Sequence, residues 1–161
     1  MMTPMAVDEV WLVRHGETEW SRDGRHTSTT DLPLTAEGEQ VAAALRDRLD
    51  DDLAEWDYGD LEGRTTEQIR EADPDWTIWS GPVPGGETAD QVAVRLDRVV
   101  ERCRAADGRV LVFGHGHALR ALAARWLDLP VTDGRHLRLD TATVSVLGFE
   151  RETPVVIRWN C

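Results

Sequence analysis

Four apolar residues, Val10, Trp11, Leu12 and Val13, run without a break into Arg14, His15 and Gly16. That is the pattern of a buried strand over residues 9–14 with a polar end. Residues 109–113, RVLVF, repeat it and run into Gly114 and His115. Elsewhere the spacing turns helical. Thr35 is placed to cap a helix whose apolar residues fall at Val41, Leu45 and Leu49. Thr65 and Gln68 form a capping-box pattern opening a short helix that Pro74 stops, and Thr88 and Gln91 form a second. The helix after Thr88 carries Val92, Leu96, Val99 and Cys103 on one face. Residues 117–127 predict another, with Leu119, Leu122, Trp126 and Leu127 apolar, closed by Leu129 and Pro130. Strands near 143–149 and 154–159 finish the chain, joined by a turn from Glu150 to Thr153. Trp11, Trp126 and Trp159 read as packing residues, and His26 and His136 as surface positions.

Strands alternating with helices argue for an α/β layer fold, and 161 residues suit one domain over 1–161. In such sheets ligands collect beyond the carboxyl ends of parallel strands. Both candidate strands carry a histidine there, His15 and His115.

Composition narrows the function. No stretch approaches the roughly 20 apolar residues of a membrane span, and no secretory signal is visible, so the cytoplasm is the default. Two cysteines, Cys103 and Cys161, suggest neither a disulfide framework nor a thiolate metal site. The formal charge is −12 and every one of the 18 basic residues is arginine. Such a chain is a poor candidate for nucleic acid. An anion site must therefore work through a local cluster of arginines and backbone N–H groups against the global field.

A neutral imidazole is a competent nucleophile toward phosphorus. It needs cations or N–H donors for the phosphoryl oxygens and a carboxylic acid for the leaving oxygen. Arg14 beside His15 supplies a fork of donors, and Gly16 lets the backbone approach. His115, between Gly114 and Gly116, brings a second imidazole. The spacing of His115 and His117 also suits a metal pair, but a helix start at that point favours a capping or substrate-contact role.

The segments LVRHGETEW, HTSTTDLPLTAEGEQ, EWDYGDLEGRTTEQI, PGGET, VFGHGHALRALAARW and LDTATVSVLGFE together resemble the histidine phosphatase superfamily, which includes the cofactor-dependent phosphoglycerate mutases. The resemblance implies a three-layer α/β/α sandwich with a mostly parallel sheet. It implies His15 as the phosphorylated nucleophile, Arg14 as its phosphate-binding neighbour, His115 as the second active-site histidine and Glu55 as proton donor. Gly16, Ser21, Thr27 and Gly116 fall at phosphate- or substrate-binding positions. The chain passes directly from Gly63 into a short helix, without the lid insertion of the mutases. The resemblance is therefore to small bacterial phosphatases, which act on small phosphorylated metabolites with no metal or other cofactor. Oligomeric state stays open, with a homodimer one option. No role is assigned to Glu17 or Glu87.

Two departures stand out. Thr27-Ser28 replaces the family's Thr-Gly, and serine is the worse residue where φ must be positive. Only Asp50 to Ala54 separate Leu49 from Glu55, too few for the strand–helix–strand that carries the family's second phosphate-binding arginine. A deletion, a gap across which the numbering runs on, or compensation by Arg25 or Arg120 would each account for it. Intact mass against 18.1 kDa separates the first two. The alternative function is a phosphate-binding or regulatory domain with weak or no turnover.

Overall fold

The structure, a computed structural model, describes residues 7–15, 18–28 and 50–161. The apolar run forms strand β1 (Val7–Arg14). A short helix α1 (Glu19–Arg22) follows, which the apolar pattern does not announce. Thr18 and Ser21 cap it reciprocally: the Ser21 N–H donates to the Thr18 hydroxyl at 3.1 Å, and the Thr18 N–H donates to the Ser21 hydroxyl at 2.9 Å. The helix expected after Thr35, with Val41, Leu45 and Leu49, lies outside the described residues, and so does Gly16.

Helices α2 (Thr66–Arg70) and α3 (Ala89–Ala105) both open on the capping boxes expected for them. Strand β2 (Gly108–Gly114), helix α4 (Gly116–Trp126), strand β3 (Val144–Glu150) and strand β4 (Thr153–Arg158) complete the described α-helices and strands. Valines and leucines on the even positions of β1 and β2 decide which face is buried. Val10, Leu12 and Val112 join Leu96, Val99, Leu119 and Leu122 of the two long helices in one core. Each such side chain contributes about 2 kcal/mol by leaving water. Odd positions point to the other face, where Leu111 is 54% exposed among the described residues.

The sheet order is β2-β1-β3-β4. β1 and β2 are parallel, with Arg14 opposite Gly114. β3 runs antiparallel to β1, and β4 antiparallel to β3. The expected mostly parallel sheet is thus corrected to a mixed one: of the described pairings only β1 with β2 is parallel. The reason is chain length. β3 and β4 are joined by a tight turn with Arg151 at φ 57°, far too short for a parallel crossover. The described residues contain one helical layer of the expected sandwich, α3 and α4.

Between Asp50 and Glu55 the described chain holds a 3-10 turn, Asp51–Leu53, and no strand. The aspartate run has a structural use here. Arg102 on α3 donates to Asp50 at 2.6 Å and to Asp52 at 2.9 Å, and Arg98 also pairs with Asp52. These contacts lay the short connection along α3 and bring Glu55 to the sheet.

Candidate active site

Parallel pairing places the two histidines together. The His15 N–H donates to the Gly114 carbonyl at 3.0 Å, so each strand ends at the same level. The rings of His15 and His115 lie 4.7 Å apart, tilted by 53°. His115 is also the N-cap residue of α4. Arg14, the last residue of β1, turns its guanidinium onto the start of that helix. Its Nη1 donates to the Leu139 carbonyl at 2.6 Å. A Cβ at Gly116 would stand 3.2 Å from Arg14 Cζ and Nη2, so glycine is what admits this approach. Arg14 Nε is buried with no partner among the described residues. Burial lowers the Arg14 pKa, opposed by the charges of Glu55, Tyr58 and Asp140.

Glu55 is 8% exposed and sits at the N-terminus of α4. One carboxylate oxygen accepts from the Trp56 N–H at 2.9 Å and the Ala118 N–H at 2.7 Å; the other accepts from the His117 N–H at 3.0 Å. It thus caps a helix belonging to a distant part of the chain. Burial pushes its pKa up, but His117, His115 and the N–H donors of Trp56 and His117 outweigh this, and the net direction is down. Burial holds His117 neutral, with its pKa at about 4. With His117 neutral, its charge does not act on Glu55 near neutral pH, whereas the backbone donors do so at any pH.

An aromatic wall surrounds this carboxylate. The Tyr58 hydroxyl lies 2.6 Å from His117 Nδ1. Burial, then Glu55, raises the Tyr58 pKa well above 10, so the hydroxyl stays protonated and hydrogen-bonded to a neutral His117. The Trp79 ring meets the His117 ring edge-on at 5.4 Å. His26, expected at the surface, is corrected to a buried position at 7% exposure. Its backbone pairs with Gly63 and Arg64, which turns the ring against Tyr58 at 4.6 Å. That contact spans 32 residues of sequence and leaves no local pattern.

Ser21 spends its hydroxyl on the cap of α1, also donating to the Thr18 carbonyl at 2.9 Å. Thr27 Oγ1 reaches the Arg25 carbonyl at 3.5 Å. Neither hydroxyl is directed by these bonds toward the histidine pair. Ser28 accounts for its own departure from glycine: it is not among the residues with positive φ. Its hydroxyl donates to Glu62 at 2.7 Å and accepts from the Tyr58 N–H at 3.3 Å.

Sequence reasoning missed Arg95. Its Nε and Nη2 grip Glu87 at 2.7 and 2.9 Å, and Nη1 donates to the carbonyls of Asp52 and Ala54 at 2.8 Å. Nη2 also reaches the Glu55 carbonyl at 3.3 Å. Glu87 in turn accepts from the Asp57 N–H at 3.0 Å. The pair clamps the chain on both sides of Glu55. The signal existed: position 95 falls on the apolar face of α3, where an arginine needs a buried partner.

Among the described residues no group of three or more His, Cys, Asp or Glu is arranged to hold a metal ion. No helix among them is long and apolar enough to cross a membrane.

The profile of the histidine phosphatase superfamily (branch 1) matches residues 10–52 and 48–161. The chain belongs to that superfamily and is an enzyme of the histidine phosphatase type. An acid phosphatase of Mycobacterium tuberculosis is 38% identical over 175 residues, covering 86% of this chain and 85% of that protein. A sedoheptulose 1,7-bisphosphatase of Saccharomyces cerevisiae is 32% identical, covering 81% of this chain and 70% of the relative. The solved structure of an open reading frame from Mycobacterium tuberculosis superposes with a TM-score of 0.86 at 32% identity, covering 95% of this chain and 97% of that one. The profile match breaks into two pieces at residues 48–52, beside the short connection. The 175-residue alignment is longer than the 161-residue chain, so that relative carries positions with no counterpart here.

Proposed function

We propose that this chain hydrolyses small phosphomonoesters through a phosphohistidine intermediate on His15, without a metal. The observation that carries the reading is the convergence of the His15 and His115 rings, 4.7 Å apart, with Arg14 packed on the helix that Glu55 caps. In the first half-reaction a His15 ring nitrogen attacks phosphorus. The N–P bond forms, the P–O ester bond breaks, and the leaving oxygen takes a proton from Glu55. In the second, water attacks phosphorus, its proton passes to Glu55, and the N–P bond breaks to release phosphate. Arg14 and His115 hold the phosphoryl oxygens, since this chemistry is mostly positioning and electrostatics. Gly116 admits the Arg14 guanidinium. Ser21 and Thr27 fall where the family's phosphate-closing segment lies, and Gly16 is the position at which the backbone would approach the phosphate. The resting carboxylate of Glu55 suits the second half-reaction as it stands, and must take up a proton for the first.

The relatives support phosphoryl chemistry on small substrates: they are named as an acid phosphatase and a sugar bisphosphatase. Replacing His15 by alanine is expected to abolish hydrolysis of p-nitrophenyl phosphate, while EDTA leaves the wild-type rate unchanged. Turnover surviving in His15→Ala would remove His15 as nucleophile. One observation favours the second reading, phosphate binding without turnover: the break in the family match where a further phosphate-binding arginine is expected. Tight phosphate binding with no acid-labile phosphohistidine would decide for it.

A further inference from the structure

The residues that follow β4 reach back to the loop that fixes Arg14. Cys161 and Val144 exchange backbone hydrogen bonds of 3.1 and 3.0 Å, which carries the pairing with β3 past the end of β4. Asn160 stands beside them at φ 57°, in the left-handed region that asparagine tolerates better than most side chains. Its N–H donates to the hydroxyl of Ser145 at 2.9 Å, and Ser145 is fully buried on β3. The side chain then makes a two-point contact with Asp140. Its Oδ1 accepts from the Asp140 N–H at 2.7 Å, and its Nδ2 donates to Asp140 Oδ2 at 2.8 Å. An acceptor at one end and a donor at the other suit an amide in one orientation only.

Asp140 follows Leu139, whose carbonyl takes the bond from Arg14 Nη1. The other end of this loop is laced to the site. The Ala142 N–H donates to the His15 carbonyl, and the Arg14 N–H to the Thr143 carbonyl, both at 3.4 Å. The Thr143 hydroxyl closes the loop by donating to the Asp140 carbonyl at 2.7 Å. A carboxylate is therefore held one residue from the atom that Arg14 grips. The two charges act on each other. Burial lowers the Arg14 pKa, and Asp140 is one of the charges opposing it. The Asp140 pKa is lowered first by the hydrogen bonds of Asn160 and Arg138, then by the charges of Arg138 and Arg14. Yet the ion pair that Asp140 makes among the described residues is with Arg138, at 3.0 Å, and not with Arg14. The Arg138 side chain is 84% exposed, and a surface pair of that kind holds a carboxylate weakly. The Asn160 amide is the firmer restraint.

We propose that Asn160 is a positioning residue: it keeps the Asp140 carboxylate turned away from Arg14, so that the guanidinium stays open to a phosphoryl group. A carboxylate and a phosphoryl group compete for the same fork of donors. The inference rests on the reading of Arg14 as a phosphate clamp.

Asn160→Gly removes the amide and keeps a residue at ease with φ 57°. The Kd of inorganic phosphate is measured by isothermal titration for the wild type, Asn160→Gly, Asp140→Asn and the double variant. Asn160→Gly is expected to weaken phosphate by about 10-fold, the loss of one charge-assisted contact. Asp140→Asn is expected to recover most of that loss in the Asn160→Gly chain. In the wild-type chain the same change should strengthen binding by less than about 3-fold, the effect of one fewer surface charge. An unaltered Kd in Asn160→Gly would overturn the proposal. So would a loss that Asp140→Asn does not recover, because Asn160 would then be a prop of the fold alone. A crystal structure of Asn160→Gly supplies the second readout. The Asp140 carboxylate is expected within about 4 Å of the Arg14 guanidinium, and a carboxylate that stays with Arg138 would overturn the proposal. A wild-type chain that binds no phosphate would refute the phosphatase reading, and that crystal structure would still decide the role of Asn160.

Discussion

Replacing Arg95 by methionine keeps the aliphatic reach of the side chain and removes a guanidinium that is 8% exposed. Lost with it are both bonds to Glu87 and the three to the carbonyls of Asp52, Ala54 and Glu55. The heaviest consequence is the Glu87 carboxylate, whose side chain is 22% exposed and would stand without its partner. Removing one member of a buried ion pair costs about 3–5 kcal/mol. For a chain of this size that lowers Tm by about 6–20 °C. The measurement is a thermal melt followed by circular dichroism at pH 7 and fixed concentration. Adding Glu87→Gln removes the stranded charge and keeps an acceptor for the Asp57 N–H. The double variant is therefore expected to melt above Arg95→Met, with a coupling of about 1–3 kcal/mol. A single variant within 2 °C of wild type (about the resolution that matters here), or two variants whose losses simply add, would refute the clamp.

Two further outcomes follow from the geometry. Folding depresses the His117 pKa from 6.5 to about 4, so as pH falls from 6.5 toward 4 the unfolded chain takes up a proton that the folded chain refuses. Stability is then lost across that window, by about 3 kcal/mol. Melts between pH 7.5 and 4.5 should fall more steeply for wild type than for His117→Asn, and equal slopes would reject the assignment. Gly116→Ala places a methyl group 3.2 Å from the Arg14 guanidinium, which its bond to Leu139 keeps from retreating freely. We expect at least a tenfold lower kcat/KM toward p-nitrophenyl phosphate, about 1.4 kcal/mol of transition-state stabilisation, with Tm within a few degrees. An unchanged kcat/KM would show that the contact is incidental.

The elements that could be read from the chain were those with a local physical cause. Thr65 with Gln68 and Thr88 with Gln91 announce helix starts because the capping bonds join residues three apart. The runs before His15 and His115 read as strands because each is apolar and stops at a polar end. The direction of β3 was not legible, since an alternating strand looks the same in either sense and its neighbour lies more than 100 residues away. The four-residue α1 has a cap and no apolar periodicity to reveal it. Within the site, His15, Arg14, His115 and Glu55 were named from motifs. Arg95 and the buried His26 depend on contacts across the sequence, to Glu55 and to Tyr58.

In the proposed mechanism the carboxylate of Glu55 has two employments: it would exchange the proton with the reacting group, and it caps the N-terminus of α4 through the N–H groups of His117 and Ala118. Such a residue cannot drift away when selection on activity is relaxed, because its loss also uncaps a helix of the core. A descendant that had lost turnover would keep the glutamate for its fold. An intact position 55 would then record stability as much as activity, and on the proposed mechanism the histidine at position 15 is the more faithful witness of a working enzyme.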